Sequence, residues 1–166
     1  KKIFSKYTKG KIIVTCFASN IARLETIAHV ADLHKRSCVI LGRSLKKIYD
    51  SALENNYLTN VWDFLGEEDG KNLFDENIVL ICTGSQGEER AALSKLVNGN
   101  NSNFAVNSKD LVIFSSREIP GNEKQINNLK NKLIKIKCKF LDDTNSFVHV
   151  SGHPSQKELL RMYNWV

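Results

Sequence analysis

The chain has 166 residues, 42% of them hydrophobic and 25% charged, which excludes a disordered polar tract and fits one compact domain with a substantial core. No apolar run is long enough to span a bilayer, and the basic start "KKIFSKYTKGKIIV" lacks the apolar core of a secretion signal, so a cytoplasmic location is expected. The net charge of +6 is uneven: residues 1–47 carry 11 basic against 2 acidic side chains, and residues 63–76 carry 6 acidic against 1 basic. Such asymmetry fits a polyanion-facing side, with nucleic acid the leading candidate, and fits a solvated basic surface equally well.

In chain order, the β-branched run "KIIVTCFA" reads as a strand, and "SNIARLETIAHVADLH" follows with Ile21, Leu24, Ile27, Ala28 and Ala31 at helical spacing. "CVILG" is a second buried strand, and "SLKKIYDSALENNY" a second helix, with Ser44 the expected N-cap. The acidic stretch "DFLGEEDGKNLFDEN" separates this half from a second alternating set. That set comprises strand 78–83, helix 88–97, strand 111–114, helix 122–136, strand-like runs 138–141 and 147–150, and a last helix over about 155–166. Alternating strands and helices, with strands apolar on both faces, predict an α/β fold: a mostly parallel, Rossmann-like sheet with helices on both faces.

A parallel sheet places its ligand site at the carboxyl ends of the strands. Those ends are "FASN", "GRS", "TGSQGE", "SSREIPGNE" and "SGHPSQ", each small, polar and rich in hydroxyls, glycines and amides. "TGSQGE" has the strand, Gly-x-x-Gly, helix pattern that can turn backbone N–H groups toward an anion, but Glu88-Glu89 stands where a Walker A loop needs Lys-Ser/Thr. A tight turn with Glu88 favouring the helix dipole explains the same residues. Ser115 and Ser116 could likewise bind a phosphate or simply cap and turn, with Pro120 and Gly121 fixing the turn and Asn122 capping the next helix.

Two of the four histidines, His149 and His153, flank Ser151-Gly152. If 147–150 is a strand, His149 and Ser151 face one way and His153 lies beyond its end, an arrangement suited to gripping a phosphate or protonating a leaving oxygen. His29 and His34 carry no assigned role, and Met162 and Trp165 are expected to pack. Lys124, Lys130, Lys132, Lys135, Lys137 and Lys139 form a basic face, either solvated or RNA-facing. The cysteines, Cys16, Cys38, Cys82 and Cys138, are dispersed without a CxxC and read as small hydrophobes. No metal-spaced His/Asp cluster and no serine or cysteine with an adjacent base occurs, so the chain reads as half of an active site.

Taken in order, "CFASNIARLETI", "GRSL", "TGSQGEERAALSKL", "VIFSSREIPGNEKQINNL" and "VHVSGHPSQKELLRMY" resemble the beta-CASP domain of bacterial ribonuclease J, in the metallo-beta-lactamase superfamily. The resemblance implies that residues 1–166 are a single beta-CASP domain from a longer zinc-dependent ribonuclease. That parent would be a 5'-to-3' exoribonuclease, often endonucleolytic too, and a homo-oligomer, acting in RNA maturation and decay. It implies a cleft for 5'-monophosphorylated RNA, shared with a metallo-beta-lactamase domain of the same polypeptide that holds the zinc, so that this chain alone would hydrolyse nothing. His153 matches the family's motif B histidine, beside the scissile region. His149, Ser151 and Gly152 match the phosphate pocket, and Ser115, Ser116 and the loop Gly84, Ser85, Gln86, Gly87 and Glu88 match the adjoining nucleotide-binding edge. Ser19, Asn20 and Arg23 are further expected RNA contacts. Many relatives have Pro in place of Glu89 and Arg in place of Lys95. The alternative is a non-catalytic RNA- or nucleotide-binding module.

Overall fold

In the computed structural model, residues 1–150 and 153–165 are described. Five strands, β1 (Ile12–Thr15), β2 (Ser37–Leu41), β3 (Ile78–Cys82), β4 (Leu111–Phe114) and β5 (Lys139–Leu141), form one sheet in the order β2-β3-β1-β4-β5, and every pairing is parallel. Helices α1 (Ile21–Leu33), α2 (Arg43–Glu54), α3 (Glu67–Gly70), α4 (Ala92–Val97), α5 (Glu123–Ile136) and α6 (Gln156–Tyr163) complete the chain, with short 3-10 turns at Phe4–Lys6 and Asp75–Asn77.

The pleat sorts the core into two layers. Ile12, Val14, Val79, Ile81 and Ile113 face α1 and α2, packing on Leu24, Ile27, Leu45 and Tyr49. Ile13, Leu80, Cys82, Val112 and Phe114 face the opposite way, onto Leu93, Leu96, Leu129 and Leu133 of α4 and α5. Burial on both sides is why these strands are continuously apolar instead of alternating. All four cysteines are buried, and burial pushes the Cys16 thiol up to about 11 and those of Cys38 and Cys138 to about 12, so they are inert hydrophobes.

The acidic stretch has a structural use. Leu65 lies along the outer edge of β2, its N–H bonding to the Cys38 carbonyl at 2.8 Å and its carbonyl accepting from Ile40 N at 3.0 Å, which covers an edge that would otherwise be free to pair. At the amino ends of the strands, two cations of the basic half are internal. The Lys11 ammonium is 3.0 Å from Asp75 and 3.2 Å from the fully buried Asp110, and the Arg36 guanidinium donates to the carbonyls of Tyr7, Gly10 and Ile78. Burial pushes the Asp110 carboxyl above its ordinary range, against the pull of Lys11 and the N–H groups of Asn107 and Lys11.

Five expectations need correction. Residues 147–150 are not a strand: the Val148 carbonyl accepts from the Ser115 hydroxyl and Arg23, and the Val150 carbonyl from Arg23, so side chains hold this segment in place of a sheet ladder. The helix after "TGSQGE" begins at Ala92, not Glu88, because the Leu93 N–H returns to the Thr83 carbonyl and the Ser94 hydroxyl to the Glu88 carbonyl, closing a loop over 83–91. Gly42, with φ of 94°, is the N-cap of α2 in place of Ser44. Helix α6 starts with a capping box between Ser155 and Glu158, but it buries no residue: Met162 and Trp165 are exposed, so the expected packing within this chain is absent. Lys130 also leaves the proposed basic face, since it is held 2.7 Å from both Glu118 and Asp142 beneath the sheet edge.

Candidate nucleic-acid interface

The strand order creates a switch point. From β1 the chain crosses toward β2, and from β4, the neighbour of β1, it crosses the other way to β5, so the loops after β1 and β4 part and leave a crevice between them. Arg23, in the first turn of α1, fills it. Asn20 caps that helix by accepting the Arg23 N–H at 3.0 Å, which fixes where the side chain starts. Its guanidinium then donates to the Ser115 hydroxyl at 2.7 Å and to the carbonyls of Val148 at 3.3 Å and Val150 at 3.1 Å, and lies 3.4 Å from His149 Nδ1. One planar fork thus ties α1, the end of β4 and the 148–150 segment together.

Ser115 completes the tie by donating its hydroxyl to the Val148 carbonyl at 2.7 Å, while its own N–H reaches the Thr15 carbonyl. Burial pushes the His149 imidazole below its ordinary value of 6.5, the Arg23 charge adds to that shift, and the Ser115 main chain and Asp143 oppose it. A guanidinium, which can only donate, faces Nδ1 at 3.4 Å, an arrangement that favours the neutral ring with Nδ1 as acceptor. A depressed imidazole contributes stability above pH 6.5 that is lost as pH falls through the lowered folded value. Titration of His149 by NMR will therefore give a midpoint below 6.5, moving upward in Arg23→Ala; a midpoint at or above 6.5 would refute the coupling.

The "TGSQGE" loop is an internal brace in its present form. Ser85, Gln86, Gly84 and Gly87 are buried. The Gln86 amide donates to the Arg117 carbonyl at 3.0 Å and toward Ser116 Oγ at 3.4 Å, while its oxygen accepts from Ile119 N at 2.9 Å and Asn122 Nδ2 at 3.3 Å. Glu88 takes the Gln86 N–H at 3.0 Å, so a carboxylate of the chain itself occupies one donor of the expected anion nest, and Gly87 N–H returns to the Gly84 carbonyl. Gly87 sits at φ of 77° with its α-carbon against the backbone of α5.

The candidate residues therefore fall into groups. The structure gathers Arg23, Ser115 and His149 around the crevice, with Ser19 exposed on the preceding loop and Asn20 committed to the cap. Ser116 and residues 84–87 form the buried support, and Glu88 is exposed beside it. His153 is exposed past the 148–150 segment, and Ser151 and Gly152 lie outside the described residues. An apolar cavity of about 230 Å³ adjoins the crevice, lined by Phe4, Val14, Ile27 and Val148, with Arg23 and His149 at its polar side. The carbonyls of Val148 and Val150 were not legible as anchors, since no side-chain pattern marks a carbonyl that will meet an arginine over a hundred residues away. The zinc that the resemblance implies finds no ligand set here: among the described residues no three His, Cys, Asp or Glu side chains converge to hold a metal ion. No described helix is long and apolar enough to cross a membrane.

The strand order and the Arg23–Ser115 tie define an all-parallel α/β domain with polar side chains gathered at a switch point, the place where open sheets of this kind bind ligands. The family model "Ribonuclease J, beta-CASP domain" matches residues 9–133, and the chain belongs to that family. Ribonuclease J of Sinorhizobium meliloti is 41% identical over 158 residues, covering 95% of this chain and 28% of that protein. The Mycoplasma genitalium and Thermus thermophilus proteins of the same name are 38% and 36% identical, covering 96% and 93% of this chain and 28% and 27% of their own lengths. The chain thus spans under a third of the curated relatives it matches.

Proposed function

We propose that this chain forms the RNA-gripping half of a cytoplasmic ribonuclease of the J type, a 5'-to-3' exonuclease with endonucleolytic capacity acting on 5'-monophosphorylated RNA. The observation that carries the reading is the Arg23 hub, which sets Ser115 and His149 at the switch point of a beta-CASP domain. Hydroxyls, main-chain groups and guanidinium forks read phosphates and sugars in place of base edges, so binding is largely independent of sequence and weakens with salt. The adjoining apolar cavity can take the flat body of a base while its polar side meets the phosphate. In this reading the zinc and the domain that holds it belong to the remainder of the protein. His153 binds or protonates the leaving side, and His149, kept neutral by burial and Arg23, serves as a hydrogen-bonding group.

The test uses the protein at its full natural length on a 5'-monophosphorylated RNA and its 5'-hydroxyl twin. The phosphorylated RNA will be degraded faster, and His153→Ala will cut turnover about 100-fold with metal content unchanged. Unchanged turnover would remove His153 from the chemistry. A protein that binds both RNAs and degrades neither would be a non-catalytic RNA-binding module.

A further inference from the structure

The basic residues are not distributed alike. The chain has 18 lysines and 6 arginines, yet the segments 16–23, 42–45, 83–92 and 115–122, which follow β1, β2, β3 and β4, hold one arginine each and no lysine. Those arginines are Arg23, Arg43, Arg90 and Arg117. Arg23 is the half-buried hub already described, whereas the other three are exposed. Arg43 and Arg90 make no side-chain hydrogen bond or ion pair with any described residue, and Arg117 reaches Asp143 only at 4.0 Å.

The carboxylates of the neighbouring positions are, in contrast, mostly engaged. Glu88 holds the Gln86 N–H, Glu118 holds Lys130 at 2.7 Å, and Glu123 holds the Gly121 N–H at 2.9 Å, leaving Glu89 as the exception. Of these only Glu118 is paired with a cation; Glu88 and Glu123 keep their charge but are held by main-chain N–H groups of their own loops, while the guanidinium groups face solvent. At the opposite edge of the sheet the pattern reverses, with Lys11 and Arg36 buried against internal acceptors.

We infer that Arg43, Arg90 and Arg117 form a phosphate track for single-stranded RNA across the carboxyl edge of the sheet, from β2 through β3 to β4, with Arg23 holding its floor. The inference rests on the RNA reading above and deepens it by naming contacts that reading lacks. In the order β2-β3-β1-β4 the outer two arginines leave strands three intervals apart, about 14 Å, a distance that successive phosphates of an extended strand can cover. An arginine fork engages a phosphate through two parallel N–H bonds and stacks on exposed bases, which a lysine point charge does not. That chemistry accounts for arginine in each of these four segments in a chain where lysine is three times as common, although Lys46 and Lys124 stand just past two of them.

The test measures equilibrium binding of a short 5'-monophosphorylated single-stranded RNA to the full-length protein over a salt series, with EDTA present to keep the RNA intact. Each of Arg43→Ala, Arg90→Ala and Arg117→Ala will weaken binding about threefold to tenfold. Each will also flatten the slope of log affinity against log salt by about 0.7, and the triple variant by about 2. The three Arg→Lys variants will keep the slope and lose affinity, and Lys132→Ala and Lys135→Ala on α5 will change neither. A triple alanine variant with unchanged affinity and slope, lysine variants equal to the starting protein, or equal losses from the α5 lysines would each overturn the track while the RNA reading stood. If the unaltered protein binds no RNA, the RNA reading itself fails and the track falls with it. Melting of every variant reports folding, and the lysine set keeps the test decisive should the triple alanine variant unfold.

Discussion

Gly87→Ala will unseat the buried loop between β3 and α4. A Cβ at this position would lie 2.5 Å from the Gln125 carbonyl carbon and 2.8 Å from Ile126 N, both backbone atoms in α5, and φ of 77° is a conformation that L side chains disfavour. Neither problem can be relieved by turning a side chain, so α5 and the loop must separate. The expected cost is about 3 kcal/mol in stability. Because Gln86 next door braces Ser116, Arg117, Ile119 and Asn122, the second loop of the crevice will shift as well, and RNA affinity will fall about tenfold even where the variant remains folded. Denaturant unfolding and RNA binding check the two parts, and a stability loss under about 1 kcal/mol would show that the loop is not packed as described.

Asp110→Ala will have the larger effect on stability and, in the folded protein, none on RNA. Asp110 is fully buried at the amino edge, where its carboxylate accepts the Lys11 and Asn107 N–H groups at 2.8 and 2.9 Å and neutralises the Lys11 ammonium. Removing it leaves a buried cation with only the half-exposed Asp75 as partner, a loss of about 3–5 kcal/mol. Asp75→Ala, which removes the exposed partner instead, will cost about 1 kcal/mol or less. Urea unfolding separates the two, and equal losses would contradict the division. The opposite responses of Gly87 and Asp110 in RNA binding would place function at one edge of the sheet and structural charge at the other.

What the sequence discloses follows the range of the interactions. The central strands and their alternation with helices are legible because a strand buried on both faces must be apolar throughout, as Ile12–Thr15 and Ile78–Cys82 are. The segment 147–150 also reads as a strand, with Phe147, Val148 and Val150 apolar, but its carbonyls are taken by Arg23 and Ser115, partners fixed only by tertiary structure. The spacing of Met162 and Trp165 similarly reads as a packed helix face, yet both are exposed, as are Leu159 and Leu160 beside them. For the site, residue types were informative and their roles were not. Gln86 and Ser116 look like ligands in a polar loop and are buried braces, and the lysine-rich α5 suggests a polyanion surface although Lys130 is spent on Glu118 and Asp142.

The central claim, that RNA lies on the carboxyl edge of the sheet around Arg23, is tested most directly by mapping the contact. A ¹⁵N-labelled sample of the chain titrated with a short 5'-monophosphorylated RNA should show its largest amide shifts in 17–23, 84–91, 115–122 and 148–150, and little change around Lys11, Arg36 and Asp110. Shifts concentrated at that amino edge or along the lysines of α5, with residues 115–122 and 148–150 unmoved, would contradict it.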